Sequence, residues 1–98
     1  MDEFTSTNQV TVASFYREVT DPNARALLDF LIEHPGERFD ARAIMTALDF
    51  AQHRDVALAA YAVGEVAGQH GCKRPWFEAQ LGYQMSPEVA VLLQRMRG

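Results

Sequence analysis

The feature of this sequence that most constrains its fold is an amphipathic helix with clear start and stop signals between residues 21 and 36. Asp21 is a good N-cap residue, and Pro22 suits the first helical turn, where its missing N–H is not needed. Apolar residues then recur at intervals of three and four, namely Ala24, Leu27, Leu28 and Leu31, with Phe30 and Ile32 widening the apolar face. His34-Pro35-Gly36 ends the helix. A helix with one broad apolar side packs that side into a core.

Three further helices are predicted after it. Asp40 can cap a helix over residues 41–48, and a longer helix begins near Gln52 or Arg54 and continues to residue 68. Ser86-Pro87-Glu88 has the N-cap, proline and acidic first turn that open a C-terminal helix. The expected inward residues of these helices are Ile44, Leu48, Val56, Ala60, Val63, Val66 or Ala67, Val89, Leu92, Leu93 and Met96.

The β content is predicted to be small. Residues 73–77 and 80–85 are aromatic-rich and are typical of two short strands, with Glu78 and Ala79 near the hairpin tip. Phe39 fits a strand of one or two residues. Residues 10–19 fit a short strand or a short helix equally well, because Val10 to Val12 alternate while Phe15 and Val19 have helical spacing.

Length and composition indicate one ordinary globular domain over residues 10–98, preceded by a flexible tail at residues 1–9. The chain has 98 residues, of which 48% are hydrophobic and 22% charged. It contains neither an apolar run of membrane-spanning length nor the pattern of a secretion signal, so we expect no membrane association and a cytoplasmic location. The single cysteine, Cys72, excludes an intrachain disulfide; we interpret it as an incidental small turn residue, with a reactive thiol as the alternative.

No constellation of residues indicates an enzyme, a cofactor or a metal site. The three histidines, His34, His53 and His70, lack the spacing of a helical metal pair, and His34 fits a helix C-cap. No glycine pattern forms a phosphate-binding loop, and no serine or cysteine has a nucleophile context. We therefore expect a binding domain with no catalytic residues, no cofactor and no metal.

Several residues carry a family pattern: Leu27, Leu28 and Leu31, the entry Phe39-Asp40, the run from Ile44 to Phe50, and the inward Val56, Ala60 and Val63. Together with the order of three helices, a two-stranded ribbon and a closing helix, they resemble the winged helix-turn-helix family over about residues 22–97. The resemblance implies a mainly α fold with a small β component (α+β), comprising a three-helix core, a two-stranded wing and a C-terminal helix.

Two positions depart from the family pattern. Met45 stands where the second helix usually carries a small residue, which suggests a wider helix crossing. Asp49 stands where the turn usually carries glycine, and Asp tolerates a positive φ better than most residues do.

The resemblance implies a sequence-specific DNA-binding protein that acts as a transcriptional regulator and reads the major groove with the helix at about residues 52–68. Gln52, His53 and Arg54 would reach base edges, and Tyr61 would contact a phosphate or a thymine methyl. Arg42, Lys73 and Arg74 would bind phosphates. The net charge of −4 and the pI of about 5.2 oppose this reading, because they predict weak non-specific binding to DNA.

A protein-protein interaction module on the same scaffold is the alternative. Leu58 and Tyr61 are predicted on the exposed side of the third helix, where Asp55 and Glu65 would repel phosphate. Trp76, Phe77 and Tyr83 would be an interface cluster or, more simply, part of the core. Either function is compatible with a homodimer formed through the C-terminal helix and residues 10–12.

Overall fold

The computed structural model describes residues 9–79 and 82–97, which form five helices and three strands. In chain order these are α1 (Gln9–Glu18), α2 (Pro22–Glu33), β1 (Arg38–Asp40), α3 (Ala41–Ala47), α4 (His53–Gln69), β2 (Phe77–Ala79), β3 (Gly82–Gln84) and α5 (Pro87–Arg97). The prediction of a mainly helical protein with a small β component is therefore confirmed. The predicted flexible tail lies outside the described residues except for residue 9, which begins α1.

The helix ends form where the sequence indicated. The Asp21 carboxylate accepts a hydrogen bond from the Ala24 N–H at 3.0 Å, and the Asp40 carboxylate accepts one from the Ala43 N–H at 2.7 Å. Each bond satisfies a backbone donor that the first helical turn leaves without a partner. His34 is the C-cap of α2, and its Nδ1 lies 2.8 Å from the Phe30 carbonyl oxygen, as its position in the sequence suggested.

Of residues 10–19, for which the sequence allows a strand or a helix, residues 10–18 belong to helix α1. Val12, Phe15 and Tyr16 on α1 are buried, together with Val19 just beyond it. A helix is favoured over a strand because Val12, Phe15 and Tyr16, at spacings of three and four, fall on one helical face, and that face packs on α5 and α4. The apolar side of the N-terminal segment thus contributes to the core of its own chain.

The core is built mainly by the face that α2 presents to α4. Its buried residues are Ala24, Leu27, Leu28, Leu31 and Ile32 on α2, Ile44 on α3, Val56, Ala59, Ala60, Val63 and Ala67 on α4, and Ala90, Leu92 and Leu93 on α5. The expected inward residues Leu48, Val66, Val89 and Met96 are partly buried against it. Val12, Leu92 and Leu93 were also assigned to a homodimer interface, but the chain itself covers these three side chains.

The strands form one antiparallel sheet in the order β1-β3-β2, with Phe39 opposite Tyr83 and Glu78 opposite Tyr83 on the other side. The predicted strand at residues 73–77 was wrong in its position, because β2 begins only at Phe77. Pro75 has no N–H to donate to a sheet, and Trp76 is turned into the core at 7% exposure. Glu78 and Ala79 therefore lie within β2 and not near a hairpin tip, and residues 80 and 81 lie outside the described residues.

A clamp between α1 and α2 is made by Arg25. Its Nε donates to the carbonyl oxygen of Val19 at 2.9 Å, and its Nη2 donates to that of Tyr16 at 2.7 Å. The guanidinium carbon also lies 4.0 Å from the centre of the Tyr16 ring. The Tyr16 hydroxyl donates in turn to Asp29 at 2.7 Å. Burial and this hydrogen bond raise the pKa of Tyr16.

The Cys72 thiol is buried. Cys72 is 2% exposed and its Sγ lies 3.6 Å from the carbonyl oxygen of His70, so the thiol is enclosed in the fold. Across residues 9–79 and 82–97, helices of sufficient length and apolarity to cross a membrane are absent.

Candidate functional site

The first part of the candidate site is the turn that joins α3 to α4. The Leu48 N–H closes α3 on the Ile44 carbonyl at 2.9 Å, and the Phe50 N–H bonds to the Met45 carbonyl at 2.9 Å. Asp49 between them has φ +56°. The expectation that Asp49 occupies a left-handed position, where glycine would be the usual residue, is confirmed.

The helix α4 begins with exposed polar side chains. Gln52 is the N-cap, and its N–H donates to the Asp55 carboxylate at 3.0 Å. Gln52, His53 and Arg54 are exposed, as is Arg42 on the neighbouring helix α3. The first turn of a helix favours negative charge because its N–H groups carry partial positive charge. Asp55 is thus held in a structural role at the helix start.

An exposed stripe continues along α4 and consists of Arg54, Leu58, Tyr61 and Glu65, spaced by four, three and four residues. Leu58 is 57% exposed and Tyr61 is 63% exposed. A hydrogen bond to the Glu65 carboxylate raises the pKa of the Tyr61 hydroxyl. The stripe is therefore cationic at one end, apolar in the middle and anionic at the other end.

The segment before β2 carries Lys73 and Arg74, both exposed. Arg74 Nη1 lies 2.6 Å from the Glu78 carboxylate, which also accepts a hydrogen bond from the Trp76 indole N–H at 3.1 Å. Among the residues that the structure describes, Lys73 has neither an ion pair nor a hydrogen bond. The two cations that were predicted to act alike therefore differ, because Arg74 is paired and Lys73 is not.

A cavity of about 660 Å³ lies between the second half of α4, residues 72–78 and the start of α5. Its walls include Tyr61, Lys73, Trp76, Phe77 and Val89, and apolar atoms dominate the lining. Trp76 is mostly buried while Phe77 is 63% exposed, so the aromatic cluster is divided between core and rim. The ring of Tyr83 packs edge-on to Trp76 at a centroid distance of 6.2 Å.

The sequence-predicted residues thus separate into two groups. Arg42, Gln52, His53 and Arg54 lie on α3 and the start of α4. Tyr61, Lys73, Arg74 and Trp76 surround the cavity instead, and Leu58 lies on the stripe between the two groups.

Sequence reasoning gave no role to Glu78 and treated Glu65 only as a charge that repels phosphate. The spacing of four residues from Arg74 to Glu78 and from Tyr61 to Glu65 was the available signal. The spacing of Arg74 and Glu78 is not informative if residues 73–77 form a strand, as the sequence predicts, because side chains four residues apart on a strand do not meet.

Comparison with known proteins assigns the chain to a family. The chain belongs to DUF6416, a family of unknown function, whose sequence model matches residues 10–98. No curated protein and no solved structure matches the chain. Within the described residues there is also no group of three or more His, Cys, Asp or Glu side chains that could hold a metal ion.

Proposed function

We propose that this chain is a winged helix-turn-helix protein that binds double-stranded DNA through α4. The order of elements supports the proposal: α2, β1, α3 and α4 are followed by a hairpin whose strand β3 returns to pair with β1. In this assignment α3 and α4 are the helix-turn-helix, and β2 and β3 are the wing.

The observation that carries the proposal is the exposed group Gln52, His53 and Arg54 at the start of α4. A recognition helix contacts base edges with its N-terminal residues. Arg can donate two hydrogen bonds to guanine, and Gln can pair in the same way with adenine. The nearest carboxylate on the helix, Asp55, keeps its negative charge, but the Gln52 N–H holds its side chain at the helix start, so its position beside these three residues is fixed.

The net charge sets the expected character of the binding. A chain with a charge of −4 gains little from phosphate neutralisation, so discrimination has to come from base contacts. Arg42 on α3 and Lys73 before the wing are the exposed cations assigned to phosphates. Arg74 is a weaker candidate, because a phosphate contact would compete with its ion pair to Glu78.

The first experiment is selection of genomic DNA fragments on the purified protein at low salt, followed by sequencing. Enrichment of a common, palindromic site is expected, since a homodimeric regulator would span two half-sites one helical turn apart. Absence of enrichment over a tag-only control would overturn the proposal.

A matched pair of variants then assigns the contact. Arg54→Ala is expected to weaken binding to the selected site by roughly tenfold or more, with relaxed preference at one base pair. Arg95→Ala removes the same charge from an exposed position on α5 and is expected to leave affinity unchanged. Lys73→Ala should weaken all sequences about equally and lower the salt slope by about one. Equal affinities for the Arg54 and Arg95 variants would exclude α4 as the reading helix.

One observation favours a second function, docking of a protein partner on the same scaffold. Leu58 and Tyr61 are 57% and 63% exposed on adjacent turns of α4, where a base-reading helix has little use for an aliphatic side chain. Leu58→Ser would then abolish capture of a partner while Arg54→Ala would not. If the chain binds DNA instead, Arg54→Ala should weaken DNA binding and Leu58→Ser should not, so the two variants separate the two functions.

A further inference from the structure

The cavity between α4 and the wing has the size and chemistry of a small-molecule site. Its volume of about 660 Å³ lies within the range of about 300–1,000 Å³ in which ligand pockets fall. Tyr61, Trp76 and Phe77 give it three aromatic walls, and Val89 adds an aliphatic one. Aromatic walls of this kind favour a planar apolar group, which can stack or pack edge-on against them.

Trp76 is fixed before any ligand arrives. Its indole N–H donates to Glu78 at 3.1 Å, and the Tyr83 ring packs against it edge-on. The side chain is only 7% exposed, so its rotamer is constrained by the surrounding fold. A wall that is already ordered loses little conformational entropy on binding, which favours affinity.

One charged side chain of the cavity lining is available to a ligand. Both carboxylates in the lining have partners: Glu78 pairs with Arg74 at 2.6 Å, and Glu65 interacts with the Tyr61 hydroxyl. Lys73 is the lining cation for which the described residues provide no ion pair or hydrogen bond. The four charged side chains of the lining sum to zero, and Lys73 is the one among them that has no partner within the described residues, so it is available to pair with an anionic ligand.

We propose that this cavity binds a small aromatic carboxylate, whose ring packs among Tyr61, Trp76 and Phe77 and whose carboxylate pairs with Lys73. The site is separate from the exposed side chains at the start of α4. Its occupancy can be measured without DNA, so its failure and the failure of the DNA-binding proposal are independent results.

The test uses the fluorescence of Trp76, which is the only tryptophan in the sequence and lines the cavity. The full chain is titrated with 3-phenylpropanoate, and Trp76 is excited at a wavelength that the ligand does not absorb. The neutral 3-phenylpropanamide and the cationic 3-phenylpropylammonium are the matched probes. A saturable change in emission is expected for the carboxylate, which should bind about fivefold more tightly than the amide, as one partly solvated charge pair provides.

Two variants of exposed residues assign the site with little risk to folding. Lys73→Gln should remove the preference for carboxylate over amide, and Tyr61→Ala should weaken both by removing one wall. Arg95→Gln, which removes a cation outside the cavity, should change neither. The proposal is overturned if no probe gives a saturable change, if the ammonium compound binds most tightly, or if Lys73→Gln keeps the full carboxylate preference.

Discussion

Replacement of Arg25 by Met tests whether the link between α1 and α2 stabilises the whole domain. The guanidinium of Arg25 donates to the carbonyl oxygens of Tyr16 and Val19 at 2.7 and 2.9 Å and lies over the Tyr16 ring. The last carbonyls of a helix lack partners within it, so this side chain caps the end of α1 from a neighbouring helix. Met retains most of the aliphatic stem and removes only the donors and the charge.

The magnitude follows from these contacts. A hydrogen bond that involves a charged group contributes about 1.5–3 kcal/mol, and a partly exposed cation–π contact adds about 0.5–1 kcal/mol. Arg25 is half-buried, so the lower ends of these ranges apply. We expect Arg25→Met to lower the free energy of unfolding by about 3 kcal/mol. For a domain of this length that corresponds to a fall in Tm of roughly 10–20 °C.

Urea denaturation followed by circular dichroism provides the measurement. Arg17→Met is the matched control, because Arg17 lies exposed on α1 and, among the described residues, its side chain makes one long hydrogen bond, to Ser14 at 3.5 Å. Its effect should stay within about 0.5 kcal/mol. Arg25→Lys, which keeps the charge but not the two-donor geometry, should fall between the two. If Arg25→Met and Arg17→Met unfold at the same urea concentration, the clamp contributes nothing and the reasoning is refuted.

Three other predictions concern the tyrosines, the turn before α4 and the core. The pKa values of Tyr16, Tyr61 and Tyr83 are all raised above the ordinary 10.0, so absorbance at 295 nm after a rapid pH jump should show each tyrosine less than half ionised in the folded protein at pH 10. Because the unfolded tyrosines ionise first, their contribution to stability is complete below pH 10 and is lost as the pH rises through the folded values; a tyrosine that titrates at or below 10 would contradict this. At Asp49, where φ is +56°, substitution by Val should cost about 1–2 kcal/mol in urea unfolding while Gly costs almost nothing, and equal effects would show that the turn is not strained. Ile44→Ala, at a fully buried position of α3, should lower the free energy of unfolding by about 2–5 kcal/mol, and a loss below 1 kcal/mol would mean that α3 does not pack as described.

Much of the helical framework was predictable because its signals are local. Asp21 with Pro22, and Asp40 before α3, start helices by hydrogen bonds that reach only three residues along the chain. The apolar spacing of α2 predicted its buried face correctly for the same reason. For residues 10–19 the sequence alone allows a strand or a helix, because the apolar face of α1 becomes decisive only when α5 packs on it, and α5 lies more than 60 residues away.

The candidate site was less predictable because its contacts depend on the tertiary fold. The pairing of Phe39 with Tyr83 joins positions that no local pattern relates. The cavity requires the second half of α4 and the start of α5 to face residues 72–78, so no local sequence pattern indicates it. The start of β2 was misplaced because β propensity alone assigned Trp76 to a strand, while its burial beside the cavity governs the local backbone.

The pairing of β1 with β3 closes the stretch from Ala41 to residue 81 into a single loop of the polypeptide. The residues assigned to DNA contacts, from Arg42 to Arg74, fall inside that loop, while α1, α2 and α5 lie outside it. Loop-closure entropy grows only logarithmically, so adding about ten residues to the loop would cost about 0.2 kcal/mol. The loop can therefore change in length and surface chemistry without loss of the fold, provided that Ile44, Val56 and Val63 still pack in the core.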